Sequence, residues 1–213
     1  MSAPSSLRGD LTREAIKLAA RRLFALRGIY GVTTREIVAA TGQKNGGSLH
    51  YYFRTKDMLV RELIVDGARI IDERRNRQLD RIEAEGGPVS LRQVLKILVW
   101  PATDLGEKPG EEDSYIRFIA GLNLQDRDRL EAELSGQWND GYQRCLRHIR
   151  TLAASVPPEE LRRRLVFMTI SLRAIMAARE SALDHRVEHR HFWTAEGTME
   201  SLLTTLEAMI LGS

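Results

Sequence analysis

The sequence is poor in the residues and runs that mark several other classes of protein. Its 213 residues include one cysteine, Cys145, so the chain can form neither an intramolecular disulfide nor a multi-thiolate metal site. Apolar runs reach only about five residues, against the roughly 20 that span a bilayer, and residues 1–10 hold no apolar signal core. We expect a soluble, cytoplasmic protein without a membrane partner.

Motifs of catalysis and of metal binding are also missing. The sequence has no nucleophile elbow, no phosphate-cradling glycine loop, no zinc-protease motif and no informative pair of carboxylates beside a histidine. His185, His189 and His191 lie close together in the chain, but no further ligand completes a site and the neighbouring arginines would repel a cation. We therefore predict no catalytic residues, no metal and no cofactor.

Charge is unevenly distributed along the chain, although the net charge is only +3. Residues 1–56 hold ten Lys or Arg against three Asp or Glu, a balance of +7, whereas residues 57–213 have a balance of −4. A basic segment followed by an acidic one is typical of a nucleic-acid-binding head on a body that binds no polyanion. Basic residues that fall early in the chain by chance would give the same split.

Helical periodicity begins near the N-terminus. Apolar residues recur every three or four positions over 12–27. Thr33 and Glu36 form a capping box that begins a second, short helix, which ends at Gly42. After a glycine-bearing turn, in which Asn45 is the expected cap, a third short helix runs to Phe53. Two short helices around a tight turn, preceded by a longer helix, predict a helix-turn-helix.

The rest of the chain is predicted to be helical as well. Thr55 caps a long helix that runs to Glu85, and Ser90 begins another, which Pro101 ends or kinks. Further helices are predicted over 112–124, 126–154, 159–185 and 195–211. We therefore predict an all-α protein, with a three-helix DNA-binding domain over 1–56 and a helical ligand-binding and dimerisation domain over 57–213.

One ordered signature resembles a known family. It consists of Thr33-Thr34-Arg35-Glu36-Ile37, Thr41-Gly42, Gly47-Ser48-Leu49-His50-Tyr51-Tyr52-Phe53 and Thr55-Lys56-Asp57-Met58-Leu59. Over roughly residues 10–63 the chain resembles the TetR-type (tetracycline-repressor-like) transcriptional regulators. Between Gly42 and Gly47 it has one residue more than the commonest form, and this turn resembles the G-Q-x-N variant of the family. The resemblance implies a helix-turn-helix that binds DNA and a helical body that binds a ligand.

The side chains of this signature suit a DNA interface. Glycines at the start of the third helix let its backbone approach the phosphates, and helix N-termini and tyrosine hydroxyls donate to phosphate oxygens. We expect Lys44, Asn45, Ser48 and His50 to contact the base edges. The predicted DNA-binding set is Thr33, Thr34, Arg35, Lys44, Asn45, Gly46, Gly47, Ser48, His50, Tyr51, Tyr52 and Lys56. A packing role for one tyrosine and a plain surface position for His50 stay open.

The body holds aromatic and polar residues that suit a pocket for an apolar or aromatic small molecule. The predicted ligand-binding set is Trp100, Phe118, Asn123, Trp138, Tyr142, His148, Phe167 and Arg173, each of which also fits an ordinary core position. The last two helices have wide apolar, alanine-rich faces. These faces predict a homodimer in which both helices pair with their copies as a four-helix bundle.

Together these features predict a ligand-responsive regulator that is not an enzyme. The expected mechanism is repression at a pseudo-palindromic double-stranded DNA operator, from which a small molecule releases the protein. The two recognition helices of a dimer then contact major grooves about 34–36 Å apart, or a multiple of that. Two alternatives stay open: a ligand-independent or activating DNA-binding regulator, and a helical protein-interaction adaptor or enzyme that binds no DNA.

Overall fold

A computed structural model describes residues 5–42, 48–103, 105, 113–184 and 190–212. Every regular element in these ranges is a helix, so the all-α prediction is confirmed. The α-helices are α1 (Ser5–Arg27), α2 (Thr34–Ala40), α3 (Ser48–Phe53), α4 (Lys56–Ala84), α5 (Leu91–Val99), α6 (Tyr115–Gln125), α7 (Arg127–Leu134), α8 (Asp140–Leu152), α9 (Pro158–Asp184), α10 (Arg190–Thr194) and α11 (Thr198–Leu211).

The chain divides into two compact units. Unit 1 contains residues up to 66 together with 117–135, and unit 2 contains 67–116 together with 136 onward. In unit 1, α1 packs against α2 and α2 against α3. The rings of Phe24 and Phe118 lie 5.9 Å apart. The buried residues of unit 1 include Ile16, Ala20, Phe24, Ile37, Leu49, Phe53, Leu59 and Phe118. The functional boundary that the sequence predicts after residue 56 stays a prediction.

Unit 2 has its own core, in which α5 packs against α8 and α11, and α11 packs against α9. Ser90 caps α5 by accepting a hydrogen bond from the backbone N–H of Gln93, as the sequence predicted. A short 3-10 turn, Trp100–Ala102, follows α5 directly, so Pro101 ends that helix. The core includes Leu79, Leu95, Leu98, Cys145, Ile149, Met168, Leu203 and Leu206.

The single helix predicted over 126–154 is wrong, because the structure has α7 and α8 with a break between them. Ser135, Gly136 and Trp138 have φ angles of 43°, 74° and 55°, and a right-handed helix cannot continue through left-handed residues. Asp126 caps α7 by accepting a hydrogen bond from the backbone N–H of Arg129 at 3.2 Å. The last helix also begins later than predicted, at Thr198, because Gly197 before it has a φ of 88°.

Candidate nucleic-acid interface

The N-terminus of α2 is held by the predicted capping box. The backbone N–H and the hydroxyl of Thr33 both donate to Glu36 Oε2 at 2.7 Å, and the N–H of Glu36 donates to Thr33 Oγ1 at 3.3 Å. Arg27 Nη2 donates to the other Glu36 oxygen at 2.7 Å. The bonds from Thr33, and then Arg27, lower the pKa of Glu36 to about 2. Thr33, Thr34 and Arg35 are exposed at this helix end.

The turn after α2 is described only at its start. Gly42 follows the helix with a φ of 71°, the left-handed conformation that the sequence predicted there. Lys44, Asn45, Gly46 and Gly47 lie outside the described residues, and so does the predicted cap at Asn45. Their DNA-contact roles stay predictions.

Helix α3 buries one face and exposes the other. Leu49 and Phe53 are each 3% exposed and belong to the core of unit 1. Tyr51 is 80% exposed, and its ring meets the ring of the half-buried Tyr52 edge-on at a centroid distance of 4.9 Å. Tyr51 therefore presents its ring to solvent, whereas a Cβ at Gly9 of α1 would lie 3.8 Å from the Tyr52 hydroxyl.

The end of α3 brings His50 and Arg54 together. His50 is exposed, and its Nδ1 donates to the carbonyl oxygen of Arg54 at 2.6 Å. Because a carbonyl oxygen only accepts, this bond leaves Nε2 as the acceptor of the neutral ring. Arg54 is exposed, with a φ of 58°, and our reading of the sequence missed it although a basic residue directly after the aromatic helix was a visible signal. Ser48, at the other end of α3, is half-buried.

Lys56 begins α4, but its ammonium group contacts the turn before α2. Nζ donates to the carbonyl oxygens of Ile29 and Val32, the second at 2.6 Å, and lies 5.7 Å from the ring centroid of Phe24. Burial lowers the pKa of Lys56. Thr55 caps the same helix, since the N–H of Met58 donates to its hydroxyl at 3.1 Å. Lys56 therefore holds α1, α2 and α4 together at this turn.

Two basic residues of α1 contact acidic residues of α4. Arg13 Nη2 donates to the Glu62 carboxylate, and the Arg13 guanidinium lies 5.0 Å from the ring centroid of Phe53. Lys17 Nζ lies 2.6 Å from Asp66 Oδ2 and 3.4 Å from Glu62 Oε1. These charges stabilise the packing of α1 on α4 inside unit 1.

The segment 117–135 contacts the rest of unit 1 through polar side chains. The Tyr30 hydroxyl donates to the Asp126 carboxylate, which lowers the pKa of Asp126. Arg129 Nη2 donates to Asp57 Oδ1 at 2.8 Å, on the first turn of α4. Reading the sequence locally gave no signal for these pairs, because their partners lie far apart in the chain.

The predicted ligand-binding residues fall in both units. Phe118 is buried in the core of unit 1, and Asn123 in the same unit is half-buried. In unit 2, Trp100 and Tyr142 pack partly buried against the same hydrophobic core, and the Tyr142 hydroxyl lies 2.9 Å from Thr169 Oγ1.

The other four predicted ligand-binding residues do not share that surrounding. Trp138 is half-buried in the break before α8, and His148 Nε2 lies 2.7 Å from Glu83 Oε1. Phe167 is 61% exposed and Arg173 is exposed, both on α9. The ligand-binding set as a whole stays a prediction.

Of the three C-terminal histidines, His185 and His189 lie outside the described residues, and His191 is exposed. Elsewhere, in the ranges that the structure describes, no group of three metal-ligating side chains occurs. Within those ranges, no helix combines the length and the apolar character that a bilayer span requires.

The head has the features of a helix-turn-helix DNA-binding protein. Two short helices follow a longer supporting helix, the first with a capped, exposed N-terminus and the second with an exposed polar and aromatic face. This arrangement places the protein in the class of helix-turn-helix proteins.

Comparison with family models identifies the family. The model of bacterial regulatory proteins of the tetR family matches residues 16–63, and that of the tetracyclin repressor-like C-terminal domain matches residues 96–209. No curated protein matches the chain. The chain belongs to the TetR family and is a DNA-binding transcriptional regulator. Members of this family bind DNA and small-molecule ligands, form dimers and are generally not enzymes.

Proposed function

We propose that the protein is a cytoplasmic repressor that binds a pseudo-palindromic operator as a homodimer and leaves it when a small molecule binds. Residues 1–56 act as the DNA-binding head, and residues 57–213 bind the ligand and form the dimer, without catalysis. The observation that carries this proposal is the exposed surface of α2 and α3, which lies on a head with a charge balance of +7.

At the operator, the two short helices have different tasks. The N-terminus of α2, with Thr33, Thr34 and Arg35, is suited to the phosphate backbone, because its N–H groups and dipole favour an anion. On α3, His50 Nε2 is free to accept a hydrogen bond from an exocyclic amino group of adenine or cytosine in the major groove. The tyrosine hydroxyls of α3 can donate to phosphate oxygens.

The homodimer is supported by an exposed apolar stripe on α9. Val166, Phe167 and Ile170 are 49%, 61% and 60% exposed. Ile170 follows Val166 by four residues and Phe167 by three, so it lies beside both of them on the helix surface. Soluble monomers rarely expose such a contiguous apolar patch. Ala174 continues the exposed stripe one turn further along the helix. We propose that this stripe and α11, which packs against α9, meet their copies across a two-fold axis.

Phe167→Glu tests the dimer, because it places a charge at the centre of the stripe. Light scattering is expected to find a species of 24.2 kDa for this variant and twice that mass for the wild type. Leu124→Glu is the matched control, since Leu124 is 86% exposed on α6. A wild-type mass of 24.2 kDa, or a Phe167→Glu dimer, would contradict the proposal.

Ligand response requires coupling between the body and the head. The hydrogen bond between Tyr30 and Asp126 ties the segment 117–135 to the head, and the one between Arg129 and Asp57 ties it to the start of α4. These contacts support a relay from the body through this segment. To move the operator complex from almost fully bound to almost fully free, the ligand must favour the released conformer by about 5.5 kcal/mol.

A footprinting titration on the DNA upstream of the gene for this protein tests the function. A protected pseudo-palindrome whose occupancy falls when a small molecule is added is the expected result. Protection that no ligand alters would favour the ligand-independent regulator, and protection that accompanies increased transcription would favour an activator. The absence of any protected DNA would favour the adaptor or the enzyme.

A further inference from the structure

Unit 2 contains a half-buried arginine, Arg75, that forms no ion pair in the described structure. Arg75, on α4, donates one hydrogen bond from Nη2 to the carbonyl oxygen of Leu98 at 2.7 Å. Its Nε is buried and has no hydrogen-bond partner among the described residues. A guanidinium has five N–H donors in one plane and stays protonated in proteins. Even partial burial of such a group without an ion pair is costly, so the groups around it indicate what could bind there.

The nearest acidic side chain is committed to other partners. Asp72 lies one helical turn before Arg75, is 7% exposed, and accepts hydrogen bonds from the N–H of Gly141 at 2.8 Å and from Asn76 Nδ2 at 3.1 Å. Helix α8 crosses α4 closely here, since a Cβ at Gly141 would lie 2.7 Å from the Arg75 Cβ. The close crossing directs the Asp72 carboxylate toward the α8 backbone, and no ion pair joins it to Arg75 in the described structure.

The other groups around Arg75 are neutral and largely apolar. Its guanidinium carbon lies 5.9 Å from the ring centroid of Tyr142. Cys145 and Tyr115 are also close enough to interact electrostatically with Arg75, and both are buried. Burial raises the pKa of Cys145 to about 11, so its thiol carries no charge at neutral pH. Burial also lowers the pKa of Arg75, an effect that neighbouring groups, Asp72 among them, oppose.

We propose that Arg75 is the anchor of an effector site for small aromatic carboxylates, with Tyr142 and Tyr115 beside the ligand and the carboxylate bound by the guanidinium. A planar carboxylate matches the fork of an arginine and makes short, charge-assisted hydrogen bonds to it. The aromatic rings around Arg75 select an aromatic ligand body. This inference rests on the proposed ligand-responsive function and names the class of its ligand.

Calorimetric titration of the full-length protein with phenylacetate and benzoate tests the site. Each carboxylate has a neutral control of nearly the same shape, phenylacetamide or benzamide, and sodium sulfate controls for ionic strength. At least one carboxylate is expected to bind at least about tenfold more tightly than its amide. Equal binding of acid and amide, or no binding of either carboxylate, would overturn the proposal.

Substitutions of Arg75 test whether this residue binds the carboxylate. Arg75→Met is expected to weaken carboxylate binding at least about tenfold, whereas Arg77→Met, an exposed position on the same helix, changes it less than about twofold. Arg75→Lys keeps the charge without the fork and is expected to fall between the two, which preserves the test if Arg75→Met fails to fold. Unchanged binding in both Arg75 variants would refute the assignment.

Measuring operator binding with and without the carboxylate separates the carboxylate site from the proposed repression. If the carboxylate binds through Arg75 and weakens operator binding, both stand. If it binds through Arg75 while DNA affinity stays constant, the anion site stands and its role as an effector site is refuted. If the protein binds no DNA at all, the proposed repression fails, and the titration still decides whether the carboxylate site exists.

Discussion

Replacing Lys56 by methionine is expected to destabilise the DNA-binding head without changing the salt dependence of DNA binding. The sequence predicts a phosphate contact for Lys56. In the structure, however, its ammonium group donates to the carbonyl oxygens of Ile29 and Val32 and lies beside the ring of Phe24. Methionine keeps most of the aliphatic stem and removes the charge with its hydrogen bonds, so it separates the two roles.

The magnitude follows from the contacts that are lost. Hydrogen bonds that involve a charged donor contribute about 1.5 to 3 kcal/mol each, and Lys56 is only partly buried, so water can replace part of that energy. The cation above the Phe24 ring adds about 0.5 kcal/mol. We therefore expect the free energy of unfolding to fall by about 2 to 3 kcal/mol.

Urea unfolding monitored by circular dichroism measures the loss, and binding to operator DNA at several salt concentrations measures the charge effect. Arg54→Gln is the matched contrast, because Arg54 is exposed and charged close to the same helix end. It is expected to keep its stability and to reduce the slope of log K against log salt by about 0.9 per protomer. If Lys56→Met reduced this slope and left the stability unchanged, the positioning role would be refuted.

Further predictions concern the capping box and the close helix contacts. Thr33→Ala is expected to lower the free energy of unfolding by about 1 kcal/mol in urea. In an NMR titration of this variant, the pKa of Glu36 is expected to rise from about 2 toward 4.5. In the wild type, ionised Glu36 stabilises the fold fully above pH 4.5, and this stabilisation is lost as the pH falls toward 2. The variant lacks part of this stabilisation, so it is expected to unfold at a higher pH during acid titration. An unchanged pKa would contradict this. Gly67→Ala brings a methyl group to 2.2 Å from the Tyr115 ring and is expected to cost about 1 to 3 kcal/mol, whereas Gly121→Ala meets nothing within 4 Å and should be neutral or stabilising in the same urea experiment. Equal stability of the two variants would contradict the steric reasoning.

Helix ends could be predicted from the sequence where the interactions that fix them are local. The bonds between Thr33 and Glu36 span three residues, and so do the caps at Thr55 and Ser90; all of them form as predicted. The break before α8 was missed, although Ser135-Gly136 is a recognisable helix stop. The left-handed Trp138 gave no such signal, because large side chains rarely adopt that conformation.

Contacts between distant parts of the chain could not be predicted in this way. The sequence identifies Lys56 as a cation at a helix start, but only the fold brings the carbonyl oxygens of Ile29 and Val32 within its reach. Arg75 could not be distinguished in this way either. In the sequence it is one of several basic residues on a long helix, and only the fold packs α8 against it. Periodicity predicts which residues are buried far better than it predicts which half-buried charge lacks an ion pair.

The charge balance of the head therefore has to be interpreted together with the fold. The value of +7 counts Arg13, Lys17 and Lys56, but not the acidic residues of α4 that lie beyond residue 56. In the structure Arg13 and Lys17 are paired with Glu62 and Asp66. Long-range attraction of DNA depends on all of these charges together, whereas the salt slope counts only cations that replace counterions at phosphates. We therefore expect each head to make fewer phosphate contacts than it has basic residues, and the cations to test first are exposed ones without acidic partners.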